Sequence, residues 1–155
     1  MRTKGAIGLA VVLAACAGLA FAQQPKRNIE PSPSITGQWR FDTKPYGDAN
    51  TGGPCQMSGT MTISRSAQTG AYTCRFVARE RCPHGQWTAI QTCTATRQGA
   101  QLTMKSAIIK VEPATVSYAP DDWILTIRNG NLMIGELRSA DIAPVEFKRH
   151  DAVIS

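Results

Sequence analysis

What the chain lacks narrows its chemistry first. No Cys-x-x-Cys pair occurs, which removes the thioredoxin-type redox motif and the paired knuckles of a zinc finger. No serine stands in a Gly-x-Ser-x-Gly elbow, and no glycine-rich loop resembles a phosphate cradle. The 2 histidines, His84 in a turn and His150 near the C-terminus, belong to no nucleophile motif. The expectation is therefore a protein that is not an enzyme and carries no cofactor. A zinc site from Cys82, His84 and two further cysteines is the sharpest metal reading. Oxidation of exported thiols opposes it, so no metal is expected.

Helical periodicity is missing after the first 22 residues, and no second long apolar run follows the first. On the strand face that Arg75 and Arg79 share, only Val77 lies between them, so the stacked aromatics of a single-strand nucleic-acid surface are absent. A formal net charge of +6 is modest, and no nucleic-acid partner is expected.

What is present begins with an export signal. Arg2 and Lys4 precede an apolar run from Gly5 to Leu19, and Ala20-Phe21-Ala22 forms a small-x-small cleavage site before Gln23. Residues 1–22 read as a signal peptide, and losing Arg2 and Lys4 with it lowers the net charge from +6 to +4. Inside it, Leu13-Ala14-Ala15-Cys16 resembles a lipobox, which would make Cys16 a lipidation site. The expected location is periplasmic or secreted. The alternative is an outer-membrane-anchored lipoprotein, peripheral to the membrane only if Cys16 is acylated.

Residues 23–34 (QQPKRNIEPSPS) are polar and proline-rich and read as an extended tether. Residues 35–155 then read as one domain of about eight strands joined by short turns. Trp39 and Phe41, Met57, Met61 and Ile63, and Cys74, Phe76 and Ala78 each alternate with polar residues. Ile108 and Ile109 break this rhythm, and a bulge there restores it. The predicted fold is all-β, an eight-stranded antiparallel up-and-down barrel with two disulfides; a β-sandwich is the alternative.

The registers constrain the cysteines. A hairpin turning at Pro83-His84 sets Cys74 opposite Cys93, and one turning near Gln68 brings Cys55 beside Cys82. A Cys74–Cys82 pair would fold eight residues of strand back on themselves, against a Cα separation limit of about 7 Å. The predicted pairs are Cys55–Cys82 and Cys74–Cys93.

Asn129-Gly130 suits a type I′ turn. Pairing Arg128 with Asn131 sets Ile127 opposite Leu132, Leu125 opposite Ile134 and Trp123 opposite Glu136. That register leaves Ile124, Met133 and Leu137 on the outer wall as a candidate partner surface, beside Arg75, Arg79 and Arg81 as an anion-facing patch. Gln91 and Glu136 share core-facing parity and are candidate interior polar anchors. Asp121 and Asp122 read as turn-capping residues, because neighbours on a strand point to opposite faces.

Gly37-x-Trp39 on the first strand and Arg149 on the last resemble the G-x-W and closing arginine of lipocalin-like (calycin-type) barrels. That resemblance implies that Arg149 packs across Trp39 and closes one end. With the polar arm and the early cysteine, the outline is similar to the periplasmic alkaline metalloprotease inhibitor family. Two disulfides in place of one, and an arm without a recognisable inhibitory segment, depart from that family.

The leading expectation is a non-enzymatic exported envelope protein that binds a small apolar ligand or an envelope partner. The alternatives are a periplasmic protease inhibitor acting through the N-terminal arm and a lipid-anchored structural protein.

Overall fold

The computed structural model describes residues 32–48 and 53–150. The signal peptide, Cys16, residues 23–31 of the tether and residues 151–155 lie outside them. Eight strands follow one another: β1 (Gly37–Thr43), β2 (Gln56–Arg65), β3 (Tyr72–Cys82), β4 (Gly85–Gln98), β5 (Gln101–Glu112), β6 (Asp122–Asn129), β7 (Leu132–Arg138) and β8 (Ile142–Arg149). Each pairs antiparallel with its neighbour in sequence, and β1 pairs with β8, so the sheet closes. The barrel, not the sandwich, is the fold.

Closure follows from the alternation. Trp39 and Phe41 on β1, Phe76 on β3, Trp123 on β6 and Phe147 on β8 are all at most 1% exposed, while their strand neighbours are exposed or half-buried. These rings come from strands all round the wall and meet inside. Phe41 stacks on Phe147 at 5.1 Å, and Trp123 meets Phe41 at 5.1 Å and Phe147 at 5.2 Å. Met57, Met61, Ile63, Leu102, Met104 and Leu125 fill the space around them. Gly59 makes room for this cluster. It faces inward opposite Phe41, where a Cβ would collide with the Phe41 ring and the Val77 carbonyl.

Both disulfides join the expected cysteines. Cys74–Cys93 spans β3 and β4 from inside, with a Cα separation of 4.8 Å, and Cys55–Cys82 ties the loop before β2 to the end of β3 at 4.2 Å. They are consistent with an oxidising, exported location. The bulge also falls where the rhythm breaks: Gln91 pairs with Ile108 and Ile90 with Lys110, leaving Ile109 as the extra residue.

The β6–β7 hairpin corrects the predicted register. Its turn residues are Gly130 and Asn131, with Asn129 paired to Leu132, and Asn129 Oδ1 accepts from the Asn131 amide at 2.8 Å. Arg128 is an extra residue on β6, so Ile127 faces Met133, Leu125 faces Gly135 and Trp123 faces Leu137. A one-residue slip flips a whole strand. Met133 and Leu137 are core residues at 0% exposure, not an outer surface, and Glu136 faces outward, where it pairs with Arg138 at 2.9 Å. Of the three apolar residues expected outside, Ile124 alone keeps the outward parity, half-buried against Glu136.

Candidate functional site

The two ends of the barrel are built differently. Where β1 begins, Gly37 adopts φ 117°, and a Cβ there would stand 2.7 Å from Arg149 Nη1. The guanidinium lies over the Trp39 ring, 4.5 Å from its centroid. It donates to the carbonyls of Gly130 at 2.6 Å, Thr36 at 2.8 Å and Ser34 at 2.8 Å. Trp39 Nε1 donates to Ile35 O at 2.9 Å, and Arg97 Nη1 to Pro33 O at 2.7 Å. Tryptophan, arginine and the root of the tether thus form one stopper.

The opposite mouth is polar. The crossover between β5 and β6 passes over it and contributes Tyr118. Gln91, expected inside, is fully buried and gripped by Asp121, which faces inward and does not cap a turn. Its amide donates to Asp121 Oδ2 at 2.5 Å, and its carbonyl oxygen accepts from the Asp121 amide at 3.0 Å. Tyr118 donates to the same Oδ2 at 3.0 Å. Asp121 is 0% exposed, and its Oδ1 has no hydrogen-bond partner. Burial raises its pKa from 3.8 to about 7, while hydrogen bonds from Tyr118 and Gln91 oppose the rise and the Glu80 charge adds to it. Asp122 points the other way, to the Ser106 amide at 2.8 Å and Lys105 at 2.6 Å.

Beside this pair, Tyr46 donates to Glu80 Oε1, and Trp87 Nε1 donates to Glu80 Oε2 at 2.6 Å. Burial comes first in lifting both phenols above their ordinary value; next come the Glu80 hydrogen bond for Tyr46 and the Asp121 charge for Tyr118. Both tyrosines therefore remain donors at physiological pH. Cys55, Glu80 and Cys82 bring ligand-type atoms within 4.8 Å of one another, but the two sulfurs are bonded to each other and offer no thiolate.

A third region lies on the outer wall. The registers of β2, β3, β4 and β5 align exposed side chains into cross-strand rows: Thr62, Arg75, Thr92 and Ala107 in one, Ser64, Thr73, Thr94 and Lys105 in the next. They line a trough of about 890 Å³. Thr60 and Val77 border both this trough and a second depression of about 380 Å³, which also carries Arg40, Arg79 and His150. Arg75, Arg79 and Arg81 all face water. Among the described residues, neither Arg75 nor Arg79 makes an ion pair. The Cys74–Cys93 bridge braces the floor from within.

The structure therefore brings Gln91 together with Asp121 at the mouth, Trp39 with Arg149 at the other end, and Arg75 with a field of hydroxyls outside. It separates Glu136 from Gln91. No protein-family model matches the chain, and no curated protein matches it. Among solved structures the chain is similar to a de novo designed fluorescence-activating β-barrel, at 14% identity with a TM-score of 0.49, over 75% of this chain and 94% of the design. The lipocalin-like outline rests on Gly37, Trp39, Arg149 and the strand count, and the inhibitor outline adds only the polar arm and the early cysteine.

Proposed function

We propose that this is a non-enzymatic exported binding protein that holds an anionic glycan of the cell envelope against the outer wall of β2–β5. The observation that carries the reading is the continuous hydroxyl-lined trough around Arg75, leading into the depression that carries Arg79. Hydroxyls on a fixed sheet match sugar hydroxyls, and guanidinium groups without a carboxylate partner match carboxylate or phosphate substituents. Against a small apolar ligand inside the barrel stands the ring cluster of Phe41, Phe76, Trp123 and Phe147, which occupies the space such a ligand needs.

Co-sedimentation of the mature protein with purified peptidoglycan sacculi tests this. The expected result is saturable binding that weakens at least tenfold in Arg75→Glu, falls with rising salt, and survives deletion of residues 23–34. Sedimentation unaffected by Arg75→Glu and Lys105→Glu together overturns the reading. Loss of binding on deleting residues 23–34 also overturns it and transfers the function to the arm.

A further inference from the structure

The mouth holds a cleft of about 230 Å³ whose chemistry is opposite to that of the outer wall. Tyr46, Trp87 and Tyr118 supply aromatic surface, and Glu80 and Asp141 supply carboxylates. Among the described residues that line it, His84 is the one basic side chain, set against Trp87 at 5.3 Å between ring centroids. Glu80, Asp121 and Asp141 all act on the Tyr46 phenol, and Glu80 acts on Asp121. Behind the Tyr118 wall, outside the cleft's own lining, lies the buried Asp121 carboxyl, whose Oδ1 has no hydrogen-bond partner. A concentration of negative charge and π faces in a chain of net charge +6 calls for a positive ligand of small size.

We propose that the mouth is a binding site for a small organic ammonium ion, seated between the faces of Tyr46, Trp87 and Tyr118 with its charge on Glu80. The aromatic faces favour an organic cation over a hydrated metal ion, because weakly hydrated ammonium groups gain most from ring quadrupoles. The cleft offers no thiolate to a soft metal, since Cys55 and Cys82 are bonded together. Its volume falls below the roughly 300–1,000 Å³ of drug-sized pockets and suits a single head group. Glu80 is already oriented by Tyr46 and Trp87, so the carboxylate that receives the charge needs no rearrangement.

The cleft and the outer trough share no lining residue, so the two proposals stand or fall separately. The test titrates the mature protein with choline, with cadaverine, and with the uncharged tert-butyl isostere of choline, followed by calorimetry and tryptophan fluorescence. Trp39 and Trp123 are fully buried while Trp87 borders the cleft, so a fluorescence change reports this site. The expected result is saturable binding of at least one ammonium compound, at least tenfold tighter than the isostere. Binding weakens about tenfold in Glu80→Gln and is unchanged in Arg75→Glu. Choline binding alone identifies a quaternary head group, and cadaverine binding alone a primary amine; either supports the site. Asp141→Asn, on the half-exposed rim, keeps the test valid if Glu80→Gln fails to fold, with a threefold or greater loss expected. Saturation by neither compound, isostere binding as tight as choline, or a folded Glu80→Gln variant that binds undiminished would overturn the proposal.

Discussion

The two ends of this barrel satisfy their polar groups by opposite means. At the stopper, one permanent cation is spread over three neutral carbonyls and an indole face. At the mouth, carboxylates, phenols and an amide lean on one another, and one acceptor is left over. Arginine does not titrate in the physiological range, so the stopper is indifferent to pH. The mouth is not, because a buried carboxylate can hold or lose a proton. One end is built for closure, and the other keeps chemical freedom beside a cleft.

The largest expected effect breaks the stopper. Trp39→Ala removes a fully buried indole and its bond to Ile35 O, and should destabilise by about 3–5 kcal/mol in urea unfolding. Trp87→Ala at the mouth removes a half-buried indole and should cost about half as much. Equal losses would mean that the ends do not differ in how the fold depends on them.

Second comes pH. The raised Asp121 pKa means that the folded state holds a proton that the unfolded chain releases near pH 3.8. The stability from this group is fully present below about pH 4 and declines as pH rises to about 7. Above that it is flat, for a total of at most about 4 kcal/mol. Asp121→Asn should flatten that slope, whereas Arg149→Lys should leave it untouched. Urea midpoints from pH 4 to pH 8 decide it, and a slope that persists in Asp121→Asn would assign the titration elsewhere.

Third, Arg149→Lys should cost about 2 kcal/mol at every pH. An ammonium cannot reach three carbonyls in the plane of a guanidinium, nor lie flat on Trp39. A loss that varies with pH between 4 and 8 would contradict a stopper without titrating partners.

How these ends read from sequence differs for a physical reason. Alternation carried the barrel, because a side chain two residues on returns to the same face, and the hairpin registers carried both disulfides. The same logic failed at Asn129-Gly130. There one unpaired residue, Arg128, cancelled the inference for the rest of β7 and put Glu136 inside when it belongs outside. The buried acid was legible and was missed. Asp121 has the parity of Trp123 and Leu125, so it had to face inward, and Gln91 needed a polar partner at the same depth. Tyr46 and Tyr118 gave no such signal, because they sit in loops whose paths depend on the closed barrel beneath them. The outer trough was invisible as well. Two separate registers must be combined before Thr62, Arg75 and Thr92 become neighbours.

The smallest effect isolates one hydrogen bond at the mouth. Tyr118 donates to Asp121 Oδ2, and that bond favours the ionised carboxylate against its burial. Tyr118→Phe keeps the ring that covers Asp121 but deletes the donor, so the proton should be held more tightly and the Asp121 titration should move upward. Stability should fall by about 1 kcal/mol at pH 8, where the carboxylate loses a donor, and by less at pH 5, where it is protonated. Carbonyl-carbon NMR of the Asp121 side chain against pH measures the shift directly. A titration that moves down, or a larger stability loss at pH 5 than at pH 8, would show that Tyr118 acts on Asp121 by cover alone. The distinction between a stopper of fixed charge and a mouth of movable charge would then rest on Gln91 and Glu80.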